Sequence, residues 1–179
     1  INEYKVSDSD VQQTSSGLTD INAALTGSET AISGKNLNAA VKNCKAKIEE
    51  AKYKKQSYQA ELYYQLAFIY YTLDNTERSK IFENLDKCIG LSNKKHQHAI
   101  HLRAEMYMSG NDVIKSIDDA SLLIGNDSRN EKNYSFRAYL YERNGQKLKA
   151  IEDYGKAILY NTTDSSIYFK KAKLEYDTL

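Results

Sequence analysis

Along most of the chain, apolar residues return every three or four positions, and short polar breaks separate the apolar stretches. From Lys35 onward, LNAAVKNCKAKIEEAKYKKQ places Leu37, Ala40, Val41, Cys44 and Ile48 on one stripe, with lysines and glutamates on the opposite side. That spacing predicts an amphipathic helix with one solvated face. Further apolar segments then alternate with the breaks TLDNTER, SGNDV, IGNDSRN, RNGQK and NTTDSS. Each break is rich in Asn, Asp, Gly, Ser or Thr, which end one helix and cap the next. Turns are therefore expected near residues 74–77, 109–112, 126–130 and 144–146. Helices joined by such short connections fold back antiparallel. The pattern predicts an all-α chain built from helix pairs, with no β-sheet.

Residues 1–20 are polar and rich in Ser, Thr and Asp, and they read as an N-terminal segment of low helix propensity. Val11, Leu18, Leu25 and Ile32 lie seven apart, with Ile21 three after Leu18. This heptad stripe fits either a short coiled coil or a helix covering the end of the array. Gly17, Gly27 and Gly34 work against one long continuous helix.

The helical segments repeat. When residues 97–130 are laid over 131–164, Ala104 falls on Ala138, Tyr107 on Tyr141, Ser116 on Ala150, Ala120 on Tyr154 and Leu123 on Ala157, each 34 residues apart. A further copy opens at Ser165, setting Tyr168 on Tyr134 and Ala172 on Ala138. The copy at 60–96 carries Tyr63, Leu66, Ala67 and Tyr70 on its first helix, then Ile81, Leu85 and Cys88 on its second. Its turn is expected to be about two residues longer, since Ala67 and Ile81 are 14 apart where Ala138 and Ala150 are 12 apart. The small positions have a mechanical reason, because two helices cross there and a larger side chain would force them apart. Tyr141 and Tyr154 would fill the space beside the crossing. Gly145 allows a sharp turn.

A fixed 34-residue period of helix–turn–helix units is the mark of a tetratricopeptide array, and residues 60–179 resemble that family. Residues 21–59 read as a degenerate repeat or as capping helices. The proline usual at the end of each repeat is missing, with Ser128 and Thr162 in its place. The resemblance implies a right-handed α-α superhelix of antiparallel pairs, a solenoid whose concave groove is lined by first helices and takes an extended peptide or a partner helix. The groove positions it implies are Tyr64, Phe68 and Tyr71 in one copy. They are His98, His101 and Glu105 in the next, then Lys132 and Tyr139, then Phe169 and Lys173. Some members of the family clamp a chaperone's terminal carboxylate with Lys and Asn. The corresponding places here hold Tyr64, Phe68, Leu102, Lys132 and Phe136, of which only Lys132 fits.

Charge and chemistry narrow the reading. With 25 basic and 24 acidic side chains the net charge is +1, which removes the electrostatic case for nucleic acid as the main partner. No apolar run approaches the roughly 20 residues of a membrane span. Proline is absent, in keeping with helices throughout. Cys44 and Cys88 are far apart and form neither a metal cluster nor a disulfide framework. His98, His101 and Glu105 share one helix face, but a third strong ligand is missing, so no metal or other cofactor is expected. Asn126, Asn133 and Asn161 head Asn-x-Ser/Thr triplets, which chance explains. No G-x-S-x-G, phosphate loop or HExxH occurs, and no catalytic residue is nominated. The chain opens at Ile1 rather than a methionine, which points to a processed or excised form. The expectation is a non-catalytic adaptor or scaffold that binds a protein or peptide. A self-assembly module joined through its terminal helices, and hence a homo-oligomer, is the alternative.

Overall fold

The computed structural model describes residues 34–73 and 76–178. The heptad stripe from Val11 to Ile32 and the polar segment 1–20 lie outside the described residues. So do residues 74 and 75 of the first expected turn. Within them the chain is helical with no strand. It divides into two compact units, one ending at Leu91 and the other running from Ser92 to Leu179.

The first unit contains α1 (Gly34–Glu50), α2 (Gln56–Leu73) and α3 (Arg78–Leu91). A 3-10 turn at Ala51–Tyr53 ends α1, and Lys54 is extended. The Gln59 side-chain amide holds this corner by donating to the Lys54 carbonyl at 2.9 Å. α2 packs on both α1 and α3. Ala67 meets the crossing fully buried, as do Ile81, Leu85 and Cys88 on α3. One of the two extra residues in this copy extends α2, and the other lengthens its connection to α3.

The second unit contains α4 (Gln97–Ser109), α5 (Val113–Asn126), α6 (Glu131–Arg143), α7 (Lys147–Leu159) and α8 (Ser165–Tyr176). The pairs are α4/α5 and α6/α7, and α8 packs on α7. His96, Asp112, Asn130 and Asp164 cap α4, α5, α6 and α8, each accepting a hydrogen bond from a backbone N–H of the first turn. The turns inside the two pairs are the same structure. Asp112 N–H donates to the Tyr107 carbonyl and Gln146 N–H to the Tyr141 carbonyl, both at 2.9 Å. Between them Asn111 and Gly145 both take positive φ, at 64° and 72°, the left-handed conformation that Gly and Asn adopt at helix ends. The expected turns at 109–112, 126–130 and 144–146 meet the connections between helices at 110–112, 127–130 and 144–146, with Ser109 and Asn126 still the last residues of their helices.

Ala104 and Ala138 have no exposed surface. Ala138 packs with Ala150, Tyr154 and Ala157. Ser116 replaces Ala150 in the earlier copy, and its buried hydroxyl donates to the Ala104 carbonyl at 2.8 Å, so the crossing carries no unpaired polar group.

Two buried ion pairs, which the sequence reading did not single out, hold these pairs together. Arg103 Nε and Nη2 donate to Asp119 at 2.9 and 2.6 Å. Arg137 Nε and Nη2 donate to Asp153 at 2.7 and 3.0 Å. Both are two-pronged, and the side chains of Asp119 and Asp153 are only 7% and 3% exposed. The residues are again 34 apart, arginine beside arginine and aspartate beside aspartate. Arg137 Nη1 also donates to Ser121 Oγ at 3.0 Å, tying α6 back to α5.

Candidate partner-binding face

The first helices carry two kinds of apolar side chain. On α2, Leu66, Ala67 and Tyr70 are buried. Tyr64 and Phe68 are half-buried and Tyr71 is exposed. These three rings form a ladder at i, i+4 and i+7, with centroids 6.0 Å apart between Tyr64 and Phe68 and 6.4 Å between Phe68 and Tyr71. Helical geometry puts such positions on one face.

In the second unit the first helices α4, α6 and α8 meet through side chains. His101 of α4 stacks on Phe136 of α6 with ring centroids 4.9 Å apart. His101 Nδ1 stands 3.6 Å from the Glu105 carboxylate, one turn along. Tyr139 of α6 is 36% exposed. Its ring lies between Arg143, 6.0 Å away on its own helix, and Lys170 of α8, 5.7 Å away. Phe169 is 71% exposed, and Lys132, Lys173 and His98 are exposed as well.

Among the ten positions expected to line a groove, the structure brings the α2 rings into one ladder and joins His101 to Glu105. It also draws in Phe136, which the sequence reading placed only among the clamp positions, and Arg143 and Lys170, which it did not single out. Phe136 was legible as a clamp position, but its pairing with a histidine 35 residues earlier needs the helices docked. His96 proves to be a helix cap, with Nδ1 accepting from the Ala99 N–H at 3.1 Å. Among the described residues no group of three or more His, Cys, Asp or Glu is placed to hold a metal ion. No described helix is long and apolar enough to cross a membrane.

The ionisable groups inside the units serve packing. Burial pushes the Cys44 thiol up to about 11, and its Sγ lies 3.4 Å from the Leu62 carbonyl as a donor. Burial, with Glu61 adding to it, pushes Cys88 up to about 12. Neither thiol is poised as a nucleophile. The Tyr154 hydroxyl is raised by burial and by its hydrogen bond to Glu142 at 3.0 Å.

No family model and no curated protein matches the chain. Several solved structures do. The tetratricopeptide domain of Arabidopsis OM64 is 16% identical, covering 66% of this chain and 96% of its own, with a TM-score of 0.56. The first tetratricopeptide domain of Spaghetti (RPAP3), bound to the HSP90 peptide SRMEEVD, is 14% identical, covering 68% of this chain and 94% of its own at a TM-score of 0.58. The crystal structure of MamA is 19% identical, covering 95% of this chain and 99% of its own at 0.54. The chain therefore has the helix-pair fold of tetratricopeptide repeat domains. At these identities the likeness establishes that fold and nothing further.

Proposed function

We propose that the chain is a non-catalytic adaptor, holding a segment of another protein against the first-helix faces of its pairs. The observation that carries this reading is a surplus of aromatic side chains. Packing within the pairs is met by Leu66, Ala67, Tyr70, Tyr134, Ala138 and Leu140, all buried. Tyr64, Phe68, Tyr71 and Tyr139 are left half-buried or exposed on the same helices, and Phe169 is exposed on α8. Exposed aromatic rings at regular spacing are anchors for a partner. A similar domain, that of Spaghetti, holds a peptide.

Charge sharpens the reading for the second unit. Around Tyr139 and Phe169 stand Lys132, Arg143, Lys170 and Lys173, with Glu105, Glu131, Glu142 and Glu175 on the same unit's first helices. A segment with apolar anchors and a carboxylate placed for Arg143 or Lys170, the cations beside the Tyr139 ring, complements this face. Catalysis has no comparable support, because Asp119 and Asp153 are engaged by arginine and both thiols are held protonated.

Selection of a random peptide library on the immobilised chain tests the proposal. Enriched sequences should combine aromatic or aliphatic residues with Asp or Glu. Their binding should weaken by more than about 1 kcal/mol on Tyr139→Ala or Phe169→Ala, with helicity unchanged. Absence of enrichment, or peptides indifferent to both substitutions, would overturn it.

A further inference from the structure

Four side chains cap helices in the second unit, and they differ in how they answer to protons. Asn130 does not titrate. Asp112 and Asp164 are held below the ordinary carboxylate value by the hydrogen bonds they accept from Lys115 and Ser166. His96 is the exception. Its Nδ1 accepts the Ala99 N–H at 3.1 Å, so this cap exists only while that nitrogen carries no proton. A protonated imidazole donates from both nitrogens, and it sets a positive charge against the N–H groups of the first turn.

The connection that leads into α4 is held by single contacts. Asn93 and Lys94 are both left-handed, at φ 50° and 61°, a conformation that non-glycine residues rarely take in succession. Asn126 at the end of α5 donates to the Lys94 carbonyl at 2.6 Å, and the His96 N–H donates to Ser92 Oγ at 3.3 Å. The ionisable neighbours of His96 on this side are Lys94, Lys95 and His98, whose ring lies edge-on at 6.3 Å. Residues 120–126 of α5 carry no ionisable side chain. Asp127 beyond them accepts from the Arg129 N–H and the Asn130 side-chain amide.

The third histidine of α4 has the opposite preference. His101 stacks on Phe136 of α6 at 4.9 Å, with Nδ1 3.6 Å from the Glu105 carboxylate. A proton turns the stack into a cation–π contact and the approach to Glu105 into an ion pair. Lys132, one turn before Phe136 on α6, works against it.

We propose that α4 is an acid-responsive element: protonation of His96 releases its first turn, while protonation of His101 fastens its middle to α6. The cap contributes above the range in which imidazoles titrate and is lost as pH falls through it, whereas the His101 contacts are gained over the same range. His98 belongs both to the released turn and to the face proposed for the partner, so acid loosens a partner seated there. That consequence rests on the adaptor reading, and the release of the turn does not.

Residue-resolved hydrogen exchange on the whole chain at pH 7.5 and 5.5, where carboxylates stay ionised, tests the proposal, with rates corrected for intrinsic catalysis. Protection of the Ala99 amide should fall about fivefold at pH 5.5, while that of residues 102–106 should rise about threefold. His96→Asn supplies a cap that does not titrate, and should keep Ala99 equally protected at both pH values. His101→Phe keeps a ring for the stack without a proton, and should abolish the rise at 102–106. Equal protection of Ala99 at both pH values in the parent chain, or the same fall in His96→Asn, overturns the release. A rise that persists in His101→Phe overturns the fastening. A selected peptide that binds equally at both pH values, while Ala99 loses protection, overturns the consequence for the partner alone.

Discussion

The α2/α3 pair of the first unit and the α6/α7 pair of the second solve one packing problem with different chemistry. Both cross at a buried alanine, Ala67 and Ala138. Beside the crossing, α6 places Arg137 against Asp153, whereas α2 places Leu66, with Asn84 at the aspartate's position on α3. Leu66 is buried, and the Asn84 side-chain amide donates to the Lys80 carbonyl of its own helix at 2.7 Å. The first unit needs no charge at this place. The second unit uses two, and its arginine also grips the preceding pair through Ser121. The ion pair therefore adds linkage between repeats, and the apolar version shows that closing a single pair does not require it.

The sharpest way to break this comparison is to leave one charge alone. Arg137→Ala strands the Asp153 carboxylate and should cost about 3–5 kcal/mol in urea denaturation. Asn84→Ala in the first unit removes a single amide hydrogen bond and should cost about 1 kcal/mol. The double change Arg137→Leu with Asp153→Asn imports the first unit's solution. It should recover more than half of the loss within the α6/α7 pair, though not the Ser121 contact. A double variant as unstable as Arg137→Ala would mean that the pair itself, and not the stranded charge, sets the cost.

Next in size is overpacking at the shared alanine. Ala138→Leu and Ala67→Leu should each cost about 1–3 kcal/mol by denaturant melt, because both sites lack free volume. Equal costs would show that the crossing is one design in both units. A neutral Ala67→Leu would show that the longer α2 and its connection let the first pair open.

Much of this was legible in the sequence, because small residues and tyrosines at a 34-residue period mark crossings whatever the neighbours do. The arginines and aspartates recur at the same period, yet charged residues on amphipathic helices are usually solvated, and nothing local distinguishes Asp153 from Glu152 beside it. Burial separates them, and burial comes from docking. The candidate face was legible in part for a similar reason. Tyr139 and Phe169 stand at exposed register positions, but the Phe136–His101 stack and the Lys170–Tyr139 contact join residues on different helices.

Ring removal compares the candidate faces of the two units at smaller energies. Phe68→Ala breaks the α2 ladder, and Tyr139→Ala removes the ring between Arg143 and Lys170. Each should weaken a peptide that binds its own unit's face by more than about 1 kcal/mol in calorimetry, with circular dichroism unchanged. Loss on Tyr139→Ala alone would confine the binding face to the second unit.

The smallest expected effect is a difference in alkaline stability. In the first unit burial raises Cys44 to about 11 and Cys88 to about 12, from an ordinary thiol value of 9.0. A thiol that stays protonated in the fold but ionises in the unfolded chain contributes its full stability below pH 9 and loses it as pH rises toward the folded value. The second unit has no cysteine, and the hydroxyls that burial raises there are those of Tyr134 and Tyr154, whose ordinary value is 10.0. Its corresponding loss begins about one pH unit higher. Hydrogen exchange across pH 8.5–10.5, with rates corrected for intrinsic base catalysis, should show protection falling first in α2 and α3 and later in α6 and α7. Cys44→Ala with Cys88→Ala should abolish the early loss. If both units lose protection together, or if the cysteine-free variant behaves as the parent does, the thiols are not what distinguishes the two units at high pH.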